Sequence, residues 1–153
     1  NMEGKMFIEK SYVMVKPIFA NEEWVIDEIK RRLTDAGLKI EDEGYISYDK
    51  KHAREHYAEH VGKDFYPPLE KYITSDKAYG MIVSGRNAIA LIRQMVGSTS
   101  NPAKGTIRAD IPKMMGREVQ TRENVVHASD STESAKREIK IFKELLEIEA
   151  DKD

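Results

Sequence analysis

The 153-residue chain has no cysteine, a single tryptophan and no apolar run approaching the length of a membrane span. Without thiols, disulfides, thiolate nucleophiles and Cys-based zinc sites are excluded. The lack of a spanning run, with no signal-peptide pattern at the start, makes the cytoplasm the simplest expected location and no membrane partner is expected. Two glycine-rich phosphate loops are also missing: there is no Gly-x-x-x-x-Gly-Lys-Ser/Thr and no Gly-x-Gly-x-x-Gly. A formal net charge of −2 is too small to argue for a general polyanion binder. Tyr12 and Tyr79 are strand aromatics, but the aromatic signature of an RNA-recognition module is absent, so no nucleic-acid partner is expected. What is there is a balanced chain, 40% hydrophobic and 34% charged, the size of one domain (residues 1–153) with a real core. Asn1 stands ahead of Met2 and is expected to be an appended residue; residues 147–153 are expected to fray.

Residues 11–16 are rich in β formers (Tyr12, Val13, Val15) and read as a strand stopped by Pro17. Asn21 is placed to cap a helix reaching about Ala36, with Trp24, Ile26, Ile29 and Leu33 as apolar positions and Gly37 as its stop. Residues 38–48 predict a second strand, bent near Gly44, and residues 49–60 and 65–73 two helices, the latter entered through Pro67 and Pro68. Residues 77–84 predict a third strand, residues 87–96 a helix, and residues 98–123 mostly loop with a short turn near 106–110. A fourth strand at 124–127 and a helix over 131–146 close the pattern. The order contains β-α-β-β-α-β with helical insertions, which predicts an α+β, ferredoxin-like sandwich: an antiparallel four-stranded sheet with helices on one face. That fold hosts enzymes, metallochaperones and RNA-binding modules, so function has to come from the site.

The chain is organised around Asn124-Val125-Val126-His127-Ala128-Ser129-Asp130-Ser131. Two β-branched residues make a short strand, and the Ser/Asp cluster reads as a helix N-terminus. His127 sits at the strand's exit, as a nucleophile, general base or metal ligand would. In the following helix Glu138 returns to the side of Ser131 and Ser134, seven and four residues back, where a carboxylate can orient the imidazole. Upstream, residues 93–122 carry six basic side chains against two acids, which points to an anion site on a loop-rich segment. A histidine held by a carboxylate and faced by arginines is what phosphoryl transfer needs, usually with Mg²⁺. A second histidine set, His52, His56 and His60, recurs every four residues. Without an obvious further ligand it reads as a solvent-facing stripe and not as a metal site.

The octapeptide resembles the active-site signature of the nucleoside diphosphate kinases, and five further motifs follow that family's order. They are Val13-Met14-Val15-Lys16-Pro17, His56-Tyr57, the Asp64-Phe65-Tyr66-Pro67-Pro68-Leu69 segment with Tyr72, Arg93 to Gly97 with Thr99 and Asn101-Pro102-Ala103, and Gly105-Thr106-Ile107-Arg108-Ala109-Asp110. The match covers about residues 12–142. The resemblance implies that His127 takes the γ-phosphate of a nucleoside triphosphate, typically ATP, as a phosphohistidine and passes it to a nucleoside diphosphate. It implies that Glu138 and Ser129 orient the imidazole, and that Arg93, Arg108, Thr99 and Tyr57 hold the phosphates. Lys16 and Asn124 would bind ribose hydroxyls, Lys16 phosphate as well, and Phe65 would stack on the base. Mg²⁺ would be held mainly by phosphates and water, with no protein metal ligand. A homo-oligomer is implied, a hexamer first, with a tetramer or dimer as alternatives.

The sequence also departs from the family. Ile18-Phe19 follow Lys16-Pro17 where Asp-Gly is usual. The loop of residues 99–105 is about two residues short, which leaves Thr99 and Ser100 both open for the phosphate contact. About six residues, 118–123, are inserted before Asn124. The alternative to an active kinase is therefore a weakened nucleotide-binding or regulatory relative with the same fold.

Overall fold

The computed structural model describes residues 8–118 and 123–152. Strand β1 (Ile8–Val15) is followed by a 3-10 turn (Phe19–Asn21), helix α1 (Glu23–Asp35), strand β2 (Lys39–Ile46) and helix α2 (Lys50–His56). A second 3-10 turn (Ala58–His60), α3 (Tyr66–Ile73), β3 (Ala78–Arg86), α4 (Ala88–Val96), α5 (Ile107–Met115), β4 (Val126–Ala128) and α6 (Thr132–Ala150) complete the described chain. The four strands form one antiparallel sheet in the order β2-β3-β1-β4, the ferredoxin-like arrangement expected.

Helices cover both faces of this sheet, where the sequence reading had placed them on one. Val13, Val15, Met81 and Val83 pack against α1, α4 and α5 through Ile29, Leu33, Ile92 and Ile111. Tyr12, Met14 and Ile82 face the other way, into a second core with Ile73 of α3 and Ile141, Phe142 and Leu145 of α6. The cause is visible in β1 itself, whose residues 11–15 are all buried: a central strand sandwiched between two layers has no polar side. Gly80 on β3 makes the second layer possible, since a Cβ there would lie 2.5 Å from the Phe142 ring and 2.9 Å from the Tyr12 hydroxyl.

Local differences have local reasons. Helix α1 starts at Glu23 and not from an Asn21 cap, because Asn21 ends the 3-10 turn and its amide donates to Asp76 (3.1 Å). Trp24 is 39% exposed and Val25 takes the buried position. The irregularity in β2 falls between Ile40 and Asp42, while Gly44 stays in register opposite Gly80. Without the usual Asp-Gly, the chain leaves Pro17 through a left-handed Ile18 (φ 77°) that tucks Phe19 into the core. Helix α5 runs nine residues where a short turn was expected, burying Ile107 and Ile111. Helix α6 continues through Ala150, so residues 147–150 are helical and not a frayed tail. Four of the inserted residues, 119–122, lie outside the described residues.

Candidate active site

β4 pairs with β1 so that His127 stands opposite Met14, on the α6 side of the sheet. Ser131 caps α6 by accepting from the Ser134 amide (3.0 Å), which aims the helix's first turns back at the strand. Two turns on, Glu138 is buried, and its Oε1 lies 2.8 Å from His127 Nε2. The same oxygen accepts the Ser129 hydroxyl (2.7 Å), and Ser129 Oγ accepts the Tyr12 amide (2.9 Å). A nitrogen facing a carboxylate carries the proton, so this contact assigns the Nε2–H tautomer and leaves the Nδ1 lone pair available.

Around His127 lies a cavity of about 210 Å³ lined among others by Lys16, Tyr57, Arg93, Thr99, Arg108, Asn124, Asp130 and Glu138. Eight of the ten residues singled out from sequence therefore converge on its lining. Ser129 reaches the cavity only through Glu138, and Thr99, unlike Ser100, is part of the lining. Phe65 is not in the lining; it stands beside it, 52% exposed, with the His60 ring 5.3 Å away between it and the cavity. That makes eight lining residues from the sequence reading, plus Ser129 and Phe65 one contact removed.

Arg108 donates Nε to the Asn124 carbonyl (3.2 Å), Nη1 to that of Gly97 (2.9 Å) and Nη2 to that of Val126 (2.9 Å). Burial, and then the neighbouring Arg93, bring its pKa down to about 10. Arg93 reaches the Ala128 carbonyl (3.4 Å). Lys16 donates to Asn124 Oδ1 (2.7 Å), and burial followed by repulsion from Arg108 lowers its pKa to about 7. Hydrogen bonds from Ser134 and Ser131 hold Asp130 below the usual carboxylate range. Between Asn124 and β4 the chain turns through Val125, fully buried yet at φ 74°, with the Val126 amide bonded to the Asn124 carbonyl (2.9 Å). A β-branched residue in that region is strained, and such strain gathers at functional sites.

Two members of the histidine stripe, His52 and His56, are buried, and His60 is half-buried. His52 is buried between Asp49 (Nδ1 to Oδ1, 2.8 Å) and Glu144 of α6 (Nε2 to Oε1, 3.3 Å), joining α2 to α6. His56 is 2% exposed and its ring lies 4.5 Å from that of His127, edge to face. Burial, then the charges of His127 and Arg137, push its pKa well below the ordinary value, so it is neutral. His56, His60 and Arg137 line the cavity and were missed as site residues. The signal for Arg137 was present: it lies three residues after Ser134, on the same side of α6.

With four cations facing it (Lys16, Arg93, Arg108, Arg137), the cavity suits a polyanion, and the imidazole can attack an electrophile bound there. Comparison with known proteins agrees. Residues 9–148 match the family model described as nucleoside diphosphate kinase. The chain is 46% identical over 138 residues to a nucleoside diphosphate kinase of Listeria monocytogenes serotype 4b, covering 88% of each chain. It is 44% identical over 146 residues to one from Methanothermobacter thermautotrophicus, covering 88% of this chain and 87% of that one. Among solved structures, an apo nucleoside diphosphate kinase from Encephalitozoon cuniculi superposes with a TM-score of 0.79 at 26% identity, covering 88% of both. A nucleoside diphosphate kinase family protein from Babesia bovis gives 0.77 at 35% identity, covering 88% of this chain and 87% of that one.

Proposed function

The chain belongs to the nucleoside diphosphate kinase family, and from that premise we propose that it is a nucleoside diphosphate kinase working through a phosphohistidine at His127. The observation that carries the reading is the 2.8 Å contact of His127 Nε2 with Glu138, which leaves Nδ1 as the nucleophile inside a cationic cavity. Nδ1 attacks the γ-phosphorus of a nucleoside triphosphate; the N–P bond forms as the bond from phosphorus to the β,γ-bridging oxygen breaks. The diphosphate leaves with that oxygen. The Nε2 proton stays on the ring, and the Glu138 carboxylate offsets the positive charge the imidazole acquires. A terminal phosphate oxygen of the second diphosphate then attacks phosphorus and breaks the N–P bond, restoring the neutral imidazole. Because the two nucleotides use one site in turn, the kinetics are ping-pong.

Arg93, Arg108 and Thr99 would hold phosphate oxygens, with Tyr57 donating its hydroxyl. Lys16 and Asn124, already paired at 2.7 Å, would meet the ribose hydroxyls, and Lys16 phosphate too. Phe65, half-exposed beside His60 with Lys63 Nζ 5.7 Å from its ring centre, would stack on the base, and stacking alone tolerates every base. The donor set fits Mg²⁺ carried in by phosphates: the carboxylates lining the cavity are Glu59, Asp130 and Glu138, and Glu138 already serves His127 and Ser129. When bound, Mg²⁺ would neutralise phosphate charge, with Glu59 and Asp130 the remaining lining carboxylates that would help hold it. No helix among the described residues is long and apolar enough to cross a membrane. A cytoplasmic homo-oligomer, hexamer first, follows from the family likeness, and light scattering gives its mass.

Intact-protein mass after mixing with ATP and Mg²⁺, then with excess GDP, tests the reading. The wild type should gain one acid-labile phosphoryl group and lose it to GDP, and His127→Ala should gain none. A wild type that binds nucleotide yet stays unlabelled would establish the alternative, a weakened binding relative.

A further inference from the structure

Among the described residues, the buried side-chain nitrogen and oxygen atoms without a hydrogen-bond partner are Ser11 Oγ, both ring nitrogens of His56, the Tyr57 hydroxyl, His60 Nδ1 and Arg137 Nε. Native proteins leave few such atoms, and each calls for an explanation. Here all but Ser11 belong to residues lining one cavity, the one around His127. They also share one wall of it. His56 and Tyr57 sit at the end of α2, His60 in the turn after it, and Arg137 on α6. The resemblance gave Tyr57 a phosphate; it gave the other three nothing.

Resting on the phosphohistidine reading, we propose that His56 and Arg137 donate hydrogen bonds to the oxygens of the phosphoryl group during its transfer to His127. The chemistry of the donors matches that task. His56, neutral and 4.5 Å from the nucleophile's ring, carries one N–H and no charge, so it can sit beside His127 without opposing the charge that ring develops. Arg137 brings a permanent charge, and its Nη2 lies 4.0 Å from Glu138 Oε2, so the guanidinium is within reach of the same catalytic carboxylate. Arg108, by contrast, has its Nε and both terminal nitrogens on backbone carbonyls. A pentavalent phosphoryl with three equatorial oxygens needs donors on more than one side, and this wall supplies them.

Another reading of the same cluster is a metal site, since ligand atoms of His56, His127 and Glu138 lie within 4.8 Å of one another. Four cationic side chains face the cavity, and Glu138 Oε1 already accepts two hydrogen bonds, so an anion is the better occupant.

The test is single-turnover phosphorylation of His127 by ATP and Mg²⁺, followed by rapid quench, for the wild type, His56→Phe, Arg137→Gln and Arg137→Lys. His56→Phe keeps a ring for the aromatic packing and removes both nitrogens. At saturating ATP, His56→Phe and Arg137→Gln should each slow phosphoryl transfer about 100-fold, and Arg137→Lys should recover most of the loss. Melting temperatures and the pH profile are read alongside. A purely packing role would lower the melting temperature and leave the rate of the folded enzyme unchanged. A shifted pH profile with an unchanged maximal rate would assign Arg137 to orienting Glu138. Either result overturns the proposal for that residue while the kinase reading stands. A wild type that is never phosphorylated overturns both.

Discussion

The two walls of the cavity are built on opposite principles. On the α4–α5 side, Arg108 is locked by three backbone carbonyls, and those bonds staple Gly97, Asn124 and Val126 to one guanidinium. On the α2–α6 side, buried His56 and Tyr57 and half-buried His60 and Arg137 hold water-shielded polar atoms with no partner. The first wall is complete without substrate and supplies field and shape; the second is complete only with a ligand present. The difference shows how one site can be rigid and still bind more strongly as the transferring group changes shape: preorganised charge fixes the ground state, and unsatisfied donors reward what arrives.

Removing the nucleophile between the walls should erase the comparison altogether. His127→Ala is expected to lose phosphoenzyme formation by at least about 10⁴-fold while ATP still binds, read by intact mass and by calorimetry. The walls themselves separate in stability. Arg108→Met removes three hydrogen bonds to backbone carbonyls, of which that of Asn124 keeps the Val126 amide, and should destabilise the fold by about 3 kcal/mol in urea unfolding. His56→Phe removes atoms that were never paired and should leave stability within about 1 kcal/mol of wild type, or raise it. Equal losses in the two variants would show that the walls do not differ in the way described.

Glu138→Gln keeps a hydrogen bond to His127 but loses the charge, and should slow phosphoryl transfer about 100-fold with little change in ATP affinity, measured by rapid quench. The smallest effect is the most specific to the completed wall. Lys16, at about 7 in the free protein, has lost its proton by pH 8, whereas a bound phosphate would restore it. Nucleotide binding at pH 8 should therefore take up a proton, seen as heats that depend on the buffer, and affinity should fall as pH rises through 7 to 9. The stability linkage has the opposite sense. The unfolded lysine keeps its proton up to its ordinary value of 10.5, so stability of the free protein rises from about pH 7 to 10.5 on this account. Lys16→Met should flatten both slopes.

Much of this was legible in the sequence because it is local. The strand–cap–helix run at 124–138 puts His127 and Glu138 together by periodicity, and four strands with intervening helices already name the sheet. What was not legible depends on distant partners. His52 reads as a surface residue until Glu144, 92 residues on, is folded over it. Asn21 looks like a helix cap until Ile18 takes a left-handed turn and the cap moves one residue on, to Glu22. The second helical layer was readable in principle: Tyr12-Val13-Met14-Val15 has no polar side, the mark of a strand buried on both faces. The unpartnered atoms of His56 and Arg137 were beyond reach, because satisfaction is a property of three-dimensional surroundings and not of residue type.

For protein engineering, Val125 sets a limit on what can be improved. Its left-handed backbone invites glycine, the usual remedy for a positive φ, and relief of that kind is worth about 1 kcal/mol. Yet the side chain is fully buried, and deleting it would forfeit about 2 kcal/mol of apolar burial. A search for heat-resistant variants should therefore leave position 125 untouched and collect its gains on the outer faces of α1 and α6. The kink between Asn124 and His127 would persist through such selection because the core on one side opposes the only substitution that would relax it.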